Sequence, residues 1–213
     1  MRYSVTSSQI SYFQENYYIE FEDLIKPDFA DELALAMASI KDFEQGHDLF
    51  RKETIFSKYT RLKYLAQIAS SFVGVKQLRL LLDQGILSHQ NPSFFDQDRT
   101  LEESFSFQGM EIALLLKCTD SDSVEDSLPE DSLQIEKKSF IPQKKGNGIF
   151  FLPYHPFPLK HLFENQNQSY LLIVYGKVSA QYILNKTDPF RYSLKKFGYS
   201  YGDVLQDQFH PIV

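Results

Sequence analysis

The chain has 213 residues, 43% of them hydrophobic, with 19 Phe, 13 Tyr and no Trp, enough for a sizeable core built from sheets packed through aromatic side chains. A formal net charge of -6 argues against a nucleic-acid binder that works through a global positive field. Cys118 is the single cysteine, which excludes an intramolecular disulfide and a thiolate metal cluster; with no long apolar run and a polar N-terminus, the expectation is a cytoplasmic protein without membrane contact.

The spacing predicts a short helix over 8–15 (SQISYFQE), capped by Ser7 or Ser8, and then a strand over 17–24 with Glu20 and Glu22 facing water. Lys26-Pro27-Asp28 starts a second helix whose Phe29, Leu33, Ala36, Met37 and Ile40 form one stripe. A third helix is expected over 57–72, and both longer helices should cover one face of a sheet. From Lys76 onward the pattern is β: a strand ending at Gly85, then a long run over 104–118 whose continuous IALLL belongs at the centre of the sheet. Residues 119–132 (TDSDSVEDSLPEDS), with six acids, four serines and a proline, read as a solvated loop, and Glu125 stands where a calcium loop would need glycine. Strands follow over 133–141, 148–152, 170–175 and 178–184. Asp188-Pro189 opens a last helix that closes at Gly198, ahead of an aromatic tail expected to dock on the body. The whole reads as one α+β domain over 1–213: a mainly helical lead-in over 1–75, a β-core over 76–187, and a C-terminal helix and tail over 188–213.

The chain is organised around 145–176, KGNGIFFLPYHPFPLKHLFENQNQSYLLIVYG. A Gly-rich turn feeds an apolar strand, His155 follows its end, and a second β-run returns. A histidine at the mouth of a strand pair is how a β-barrel or jelly roll presents a metal ligand to a cavity. It is equally how a loop histidine bonded to backbone looks. His89, in SHQNP, has the same two readings, ligand or ordinary turn. His47, His161 and His210 read as structural, and Cys118 as a small apolar side chain in or just after the central strand.

QISYFQENYYIEFEDLIKPDFADEL resembles the opening of phytanoyl-CoA-hydroxylase-type proteins, IPQKKGNGIFFLPYHPFPL resembles a later strand of Fe(II)/2-oxoglutarate dioxygenases, and NQSYLLIVYG resembles the strand after it. The resemblance implies a double-stranded β-helix (jelly-roll or cupin-like) core with helices packed on one face, and it extends to a degenerate chlamydial protein of unknown function with this fold. The family's chemistry needs two histidines and a carboxylate around iron. This chain has no HxD or HxE motif, so the implied metal set is His155, His89 and Asn91, with Asp96 or Asp98 as substitutes if the loop folds back. The family's cosubstrate arginine or lysine is replaced at its usual strand position by Gln168 and Ser169, which cannot form the bidentate carboxylate pair; Lys177 at the far end is the other candidate for 2-oxoglutarate.

These departures favour a catalytically degenerate protein without cofactor that binds a small molecule or a protein. The alternative is an active oxygenase using Fe(II) and 2-oxoglutarate at an atypical site. A further alternative is a nucleic-acid-binding regulator using Lys58, Arg61 and Lys63 or the cluster Lys137, Lys138, Lys144 and Lys145, against which the acidic balance stands.

Overall fold

The computed structural model describes residues 4–90, 99–120, 141–156, 160, 162 and 167–213. Within them lie helix α1 (Ser7–Asn16), strand β1 (Tyr18–Phe21), helices α2 (Pro27–Met37), α3 (Leu49–Lys52), α4 (Thr54–Thr60) and α5 (Lys63–Val73), strand β2 (Arg79–Leu87), helix α6 (Leu101–Ser104), and strands β3 (Phe107–Lys117), β4 (Gly148–Phe151) and β5 (Ser169–Tyr182). The five strands form one antiparallel sheet in the order β1-β4-β3-β5-β2. The run containing IALLL does sit in the middle, between β4 and β5.

Both faces of the sheet are covered, which is why its strands are continuously apolar. On one face Ile112, Leu114, Leu116, Phe150, Ile173 and Tyr175 pack against Phe13 of α1, Leu33 and Met37 of α2, Phe56 and Tyr59 of α4, and Leu65 and Phe72 of α5. On the other, Ala113, Leu115, Ile149, Phe151, Leu172 and Val174 pack against Leu101, Phe105 and the C-terminal Leu194, Tyr199 and Leu205. Helices α1 to α5 therefore occupy one face, as the stripes of the longer ones predict, while short α6 lies on the other.

Several boundaries differ from the sequence reading, each for a local reason. The cap of α1 is Thr6, whose hydroxyl accepts from Gln9 N–H while the Gln9 side chain accepts from Thr6 N–H in return. The helix expected over 57–72 is broken at Arg61–Leu62. Leu62 is extended (φ -61°, ψ 115°), and the Thr60 hydroxyl donates to Phe56 O, an alternative to continuing the helical ladder. Gly85 lies inside β2, where a Cβ would stand 2.9 Å from Leu49 Cδ1, so glycine there admits α3 against the sheet. The two β-runs expected over 170–184 are one 14-residue strand, β5. The segment after Asp188-Pro189 makes turns and a 3-10 helix (Ser193–Phe197) closed by left-handed Gly198. Of the strand expected over 133–141 only Ile141 falls within the described residues, and most of the acidic loop lies outside them.

The outer edge of β2 is sealed by two segments. Gly85 N–H donates to Gly46 O and Asp48 N–H to Asp83 O near its end; Leu80 N–H donates to Pro211 O near its start, with Val213 N–H to Leu78 O beside it. The tail docks as expected. Buried Arg79 anchors it, giving hydrogen bonds to Val178 O and His210 O and pairing with Asp207 at 2.8 Å. His210 is fully buried with a ring nitrogen 3.0 Å from Leu81 O and another 3.0 Å from the Arg51 guanidinium, so it serves the fold; burial and Arg51 push its pKa down to about 3. Asp83 accepts from Phe50 N–H at 3.0 Å, and burial, with Asp48 nearby, pushes its pKa up to about 8.

Candidate functional site

Strand direction decides which candidate residues can meet. β2 and β4 run in opposite directions, because β2 is antiparallel to β5, β5 to β3, and β3 to β4. A residue just after β2 and one just after β4 therefore leave the sheet at opposite ends. His89 follows β2 beside the start of β5, where Leu87 pairs with Ser169; His155 follows β4, past Phe151, which pairs with Ala113. Four residue steps of β3 alone, from Ala113 to Lys117, separate those levels by about 13 Å. Donors to one ion must lie within about 3–4 Å of each other, given ligand distances near 2 Å. His89 and His155 do not fit a single metal ion, and Asn91, Asp96 and Asp98 lie outside the described residues. Among the described residues no group of three or more His, Cys, Asp or Glu side chains could hold a metal.

The same register parts the two residues expected at the 2-oxoglutarate position. Gln168 immediately precedes β5 and Lys177 lies nine residues further along, about 30 Å of strand away. The four of the predicted residues that are described thus regroup as His89 with Gln168 and His155 with Lys177.

At the first end Ser88, Lys117, Gln168 and Tyr170 are buried and bonded to one another, while Ser169 Oγ is buried with no hydrogen-bond partner among the described residues. Ser88 and Gln168 exchange bonds: Ser88 N–H donates to Gln168 O, and Gln168 N–H donates to the Ser88 hydroxyl, each at 2.9 Å. The Gln168 side-chain oxygen accepts from Lys117 Nζ at 3.1 Å and from the Tyr170 hydroxyl. Lys117 is 1% exposed, and burial pushes its pKa down to about 8. Its ammonium also lies 5.6 Å from the Tyr170 ring centre. His89 stands outside this cluster, exposed on a 3-10 turn (Ser88–Gln90). Neighbouring Cys118 is fully buried, its thiol pushed up to about 12 by burial, which fits a packing role.

The second end is open. A pocket of about 420 Å³ lies between α1, the end of α5, and the sheet. Its floor is apolar, from Phe13, Phe72, Leu152 and Met110. Tyr17 and Tyr154 stand exposed at its rim, and Tyr17 stacks on the His155 ring at 4.8 Å. His155 itself is exposed, with Nδ1 3.1 Å from Pro156 O. Gln14 and Val73 add to the lining, as do two carboxylates and one ammonium: Glu111 on β3 pairs with Lys177 on β5 at 3.4 Å, and Glu102 comes from α6. Burial, then the Glu111 charge, raise the Glu102 pKa, and Lys177 opposes them.

Sequence reasoning missed Glu102, Glu111 and Tyr154 here and Lys117 at the other end. A signal existed for two of them: Glu111 and Lys117 are the charges that bracket the IALLL run. Of the basic residues read as possible nucleic-acid contacts, Lys58 lies 3.4 Å from Glu32, and Lys145 lies 3.1 Å from Asp31 and 2.9 Å from Asp120; Lys137 and Lys138 lie outside the described residues. His47 is buried and stacked on Phe190 at 3.9 Å. No helix among the described residues is long and apolar enough to cross a membrane.

No family model matches the sequence, and no curated protein matches it. Comparison of structures finds clear likenesses. CT296 from Chlamydia trachomatis aligns with a TM-score of 0.54 at 15% identity over 83% of this chain and 98% of that one. The non-heme alpha-ketoglutarate-dependent epimerase SnoN of nogalamycin biosynthesis aligns at 0.66 and 13% over 95% of this chain and 93% of that one. HygX from Streptomyces hygroscopicus, solved with nickel and 2-oxoglutarate bound, aligns at 0.52 and 11% over 96% and 99%. The chain therefore has the double-stranded β-helix type of fold found in Fe(II)/2-oxoglutarate-dependent oxygenases.

Proposed function

We propose that this chain is a catalytically degenerate protein with the oxygenase fold and that it works by binding a small molecule in the pocket at the open end of the sheet. The observation that carries this reading is the strand register: His89 and His155 leave at opposite ends, and Gln168 and Lys177 lie about 30 Å apart. The pocket supports the binding half of the reading. Its size falls in the range of small-molecule sites, and it combines an apolar floor with a few polar groups, the usual composition of such sites.

The test is calorimetric titration of metal-stripped protein with Mn(II), in the presence and absence of 2-oxoglutarate. The expected result is no micromolar binding in either condition and an identical trace for His155→Ala. Micromolar binding that needs 2-oxoglutarate and disappears in His155→Ala would replace this reading with the oxygenase one.

A further inference from the structure

We propose that the ligand of the open-end pocket is an organic ammonium compound, an amine or quaternary ammonium carrying an apolar body. The inference rests on the small-molecule reading above and specifies its chemical class.

The charge of the pocket favours a cation. The pocket holds two carboxylates, Glu102 and Glu111, against one ammonium, Lys177. Lys177 stands 3.4 Å from Glu111, so the pair leaves Glu102 as the surplus negative charge. Glu102 sits where desolvation and the like charge of Glu111 both act against its ionised form, and burial, then Tyr17, Glu102 and Glu111, raise the pKa of the Tyr154 hydroxyl in the same way. A ligand cation relieves that surplus; a dicarboxylate such as 2-oxoglutarate aggravates it.

The aromatic side chains favour the same ligand. Four rings line the same pocket: Phe13 and Phe72 at the floor, stacked on each other at 4.7 Å, and Tyr17 and Tyr154 at the rim. Ring faces attract a positive charge, most strongly when the charge is partly desolvated, and assemblies of aromatic side chains beside a carboxylate select alkylammonium groups. Tyr17 is backed by the His155 ring at 4.8 Å, which fixes its orientation from outside the pocket.

A bare metal ion fits less well: the pocket's acidic donors are two, Glu102 and Glu111, short of the three His, Cys, Asp or Glu side chains a metal group would need among the described residues, and a hydrated ion would leave the floor of Phe13, Phe72, Leu152 and Met110 uncovered. An apolar body on the cation covers it.

The probes are benzyltrimethylammonium, its uncharged carbon isostere neopentylbenzene, and phenylacetate, each titrated into the full chain and followed by amide chemical-shift changes. The expected order is benzyltrimethylammonium tightest, by about tenfold over the uncharged isostere, a ratio one well-placed charge contact can supply. Glu102→Gln weakens the ammonium by a similar factor and leaves the isostere unchanged, while Lys177→Met tightens it; unchanged amide spectra of both free variants certify the fold. If the isostere or phenylacetate binds as tightly as the ammonium, or if Glu102→Gln leaves ammonium binding untouched, the ammonium assignment falls and the small-molecule pocket stands. If none of the three probes shifts the pocket residues, both fall together.

Discussion

The two ends of the sheet use similar side chains to opposite effect. At one end an ammonium, an amide and a phenol (Lys117, Gln168 and Tyr170) are buried and bonded to each other; at the other an ammonium, two carboxylates and two phenols (Lys177, Glu102, Glu111, Tyr17 and Tyr154) are arrayed around open space. Groups satisfied internally stabilise one arrangement and have little left to offer a ligand, whereas groups left facing a cavity add little to stability and are available for recognition. The difference assigns structure to the first end and binding to the second.

The largest expected effect comes from breaking the buried end. Gln168→Leu removes the acceptor shared by Lys117 and Tyr170 and should cost about 2–3 kcal/mol in a denaturant titration, since buried polar groups then lose a partner. Adding Lys117→Met and Tyr170→Phe should recover most of that loss, because the two donors that Gln168 serves are then replaced, with it, by apolar groups of similar shape. A triple variant as unstable as the single one would mean that Gln168 acts through its backbone pairing with Ser88 instead.

A pH titration sharpens the same end. The Lys117 pKa falls from an ordinary 10.5 to about 8 in the folded protein, chiefly through burial. Between those values the unfolded chain holds a proton that the folded protein has released, so stability rises with pH across that window and is lower by the full amount below pH 8. Relative to Lys117→Met, which lacks the titration, the wild type should gain up to roughly 3 kcal/mol between pH 8 and pH 10.5. Parallel stability curves for the two proteins would show that Lys117 is not desolvated.

How far this contrast was legible in the sequence differs for fold and site. The central position of β3 was legible because IALLL leaves no polar face, and the helical layer because the stripes of α2 and α5 repeat at helical spacing. The break at Leu62 was not, since it depends on one hydroxyl at Thr60 turning back on its own helix. The histidines were visible as residues following apolar strands. Their separation was not visible, because whether two strand ends face the same way depends on strand order, and β5 comes between β2 and β3 although it is the last strand in the chain. Once that order is fixed, the parity of antiparallel steps alone places His89 and His155 apart. Lys117 and Glu111 were hidden by the same ambiguity: a charge at the edge of an apolar run looks identical whether the fold covers it or leaves it open.

The smallest expected effect tests the open end from the side of stability. Glu111 and Lys177 form an ion pair in which Lys177 is 60% exposed, and such pairs contribute little because water competes for both charges and salt screens them. Glu111→Gln and Lys177→Met should each leave the denaturation midpoint nearly where it is in the wild type, within about 0.5 kcal/mol, and the double variant should equal the sum of the two. That null result on stability is informative only beside the binding experiment, where Lys177→Met is expected to act strongly. A residue that moves affinity and not stability is one the fold holds ready for something else. Should Lys177→Met instead cost as much as Gln168→Leu, the two ends of the sheet would be structural in the same degree, and the division of labour drawn between them would be lost.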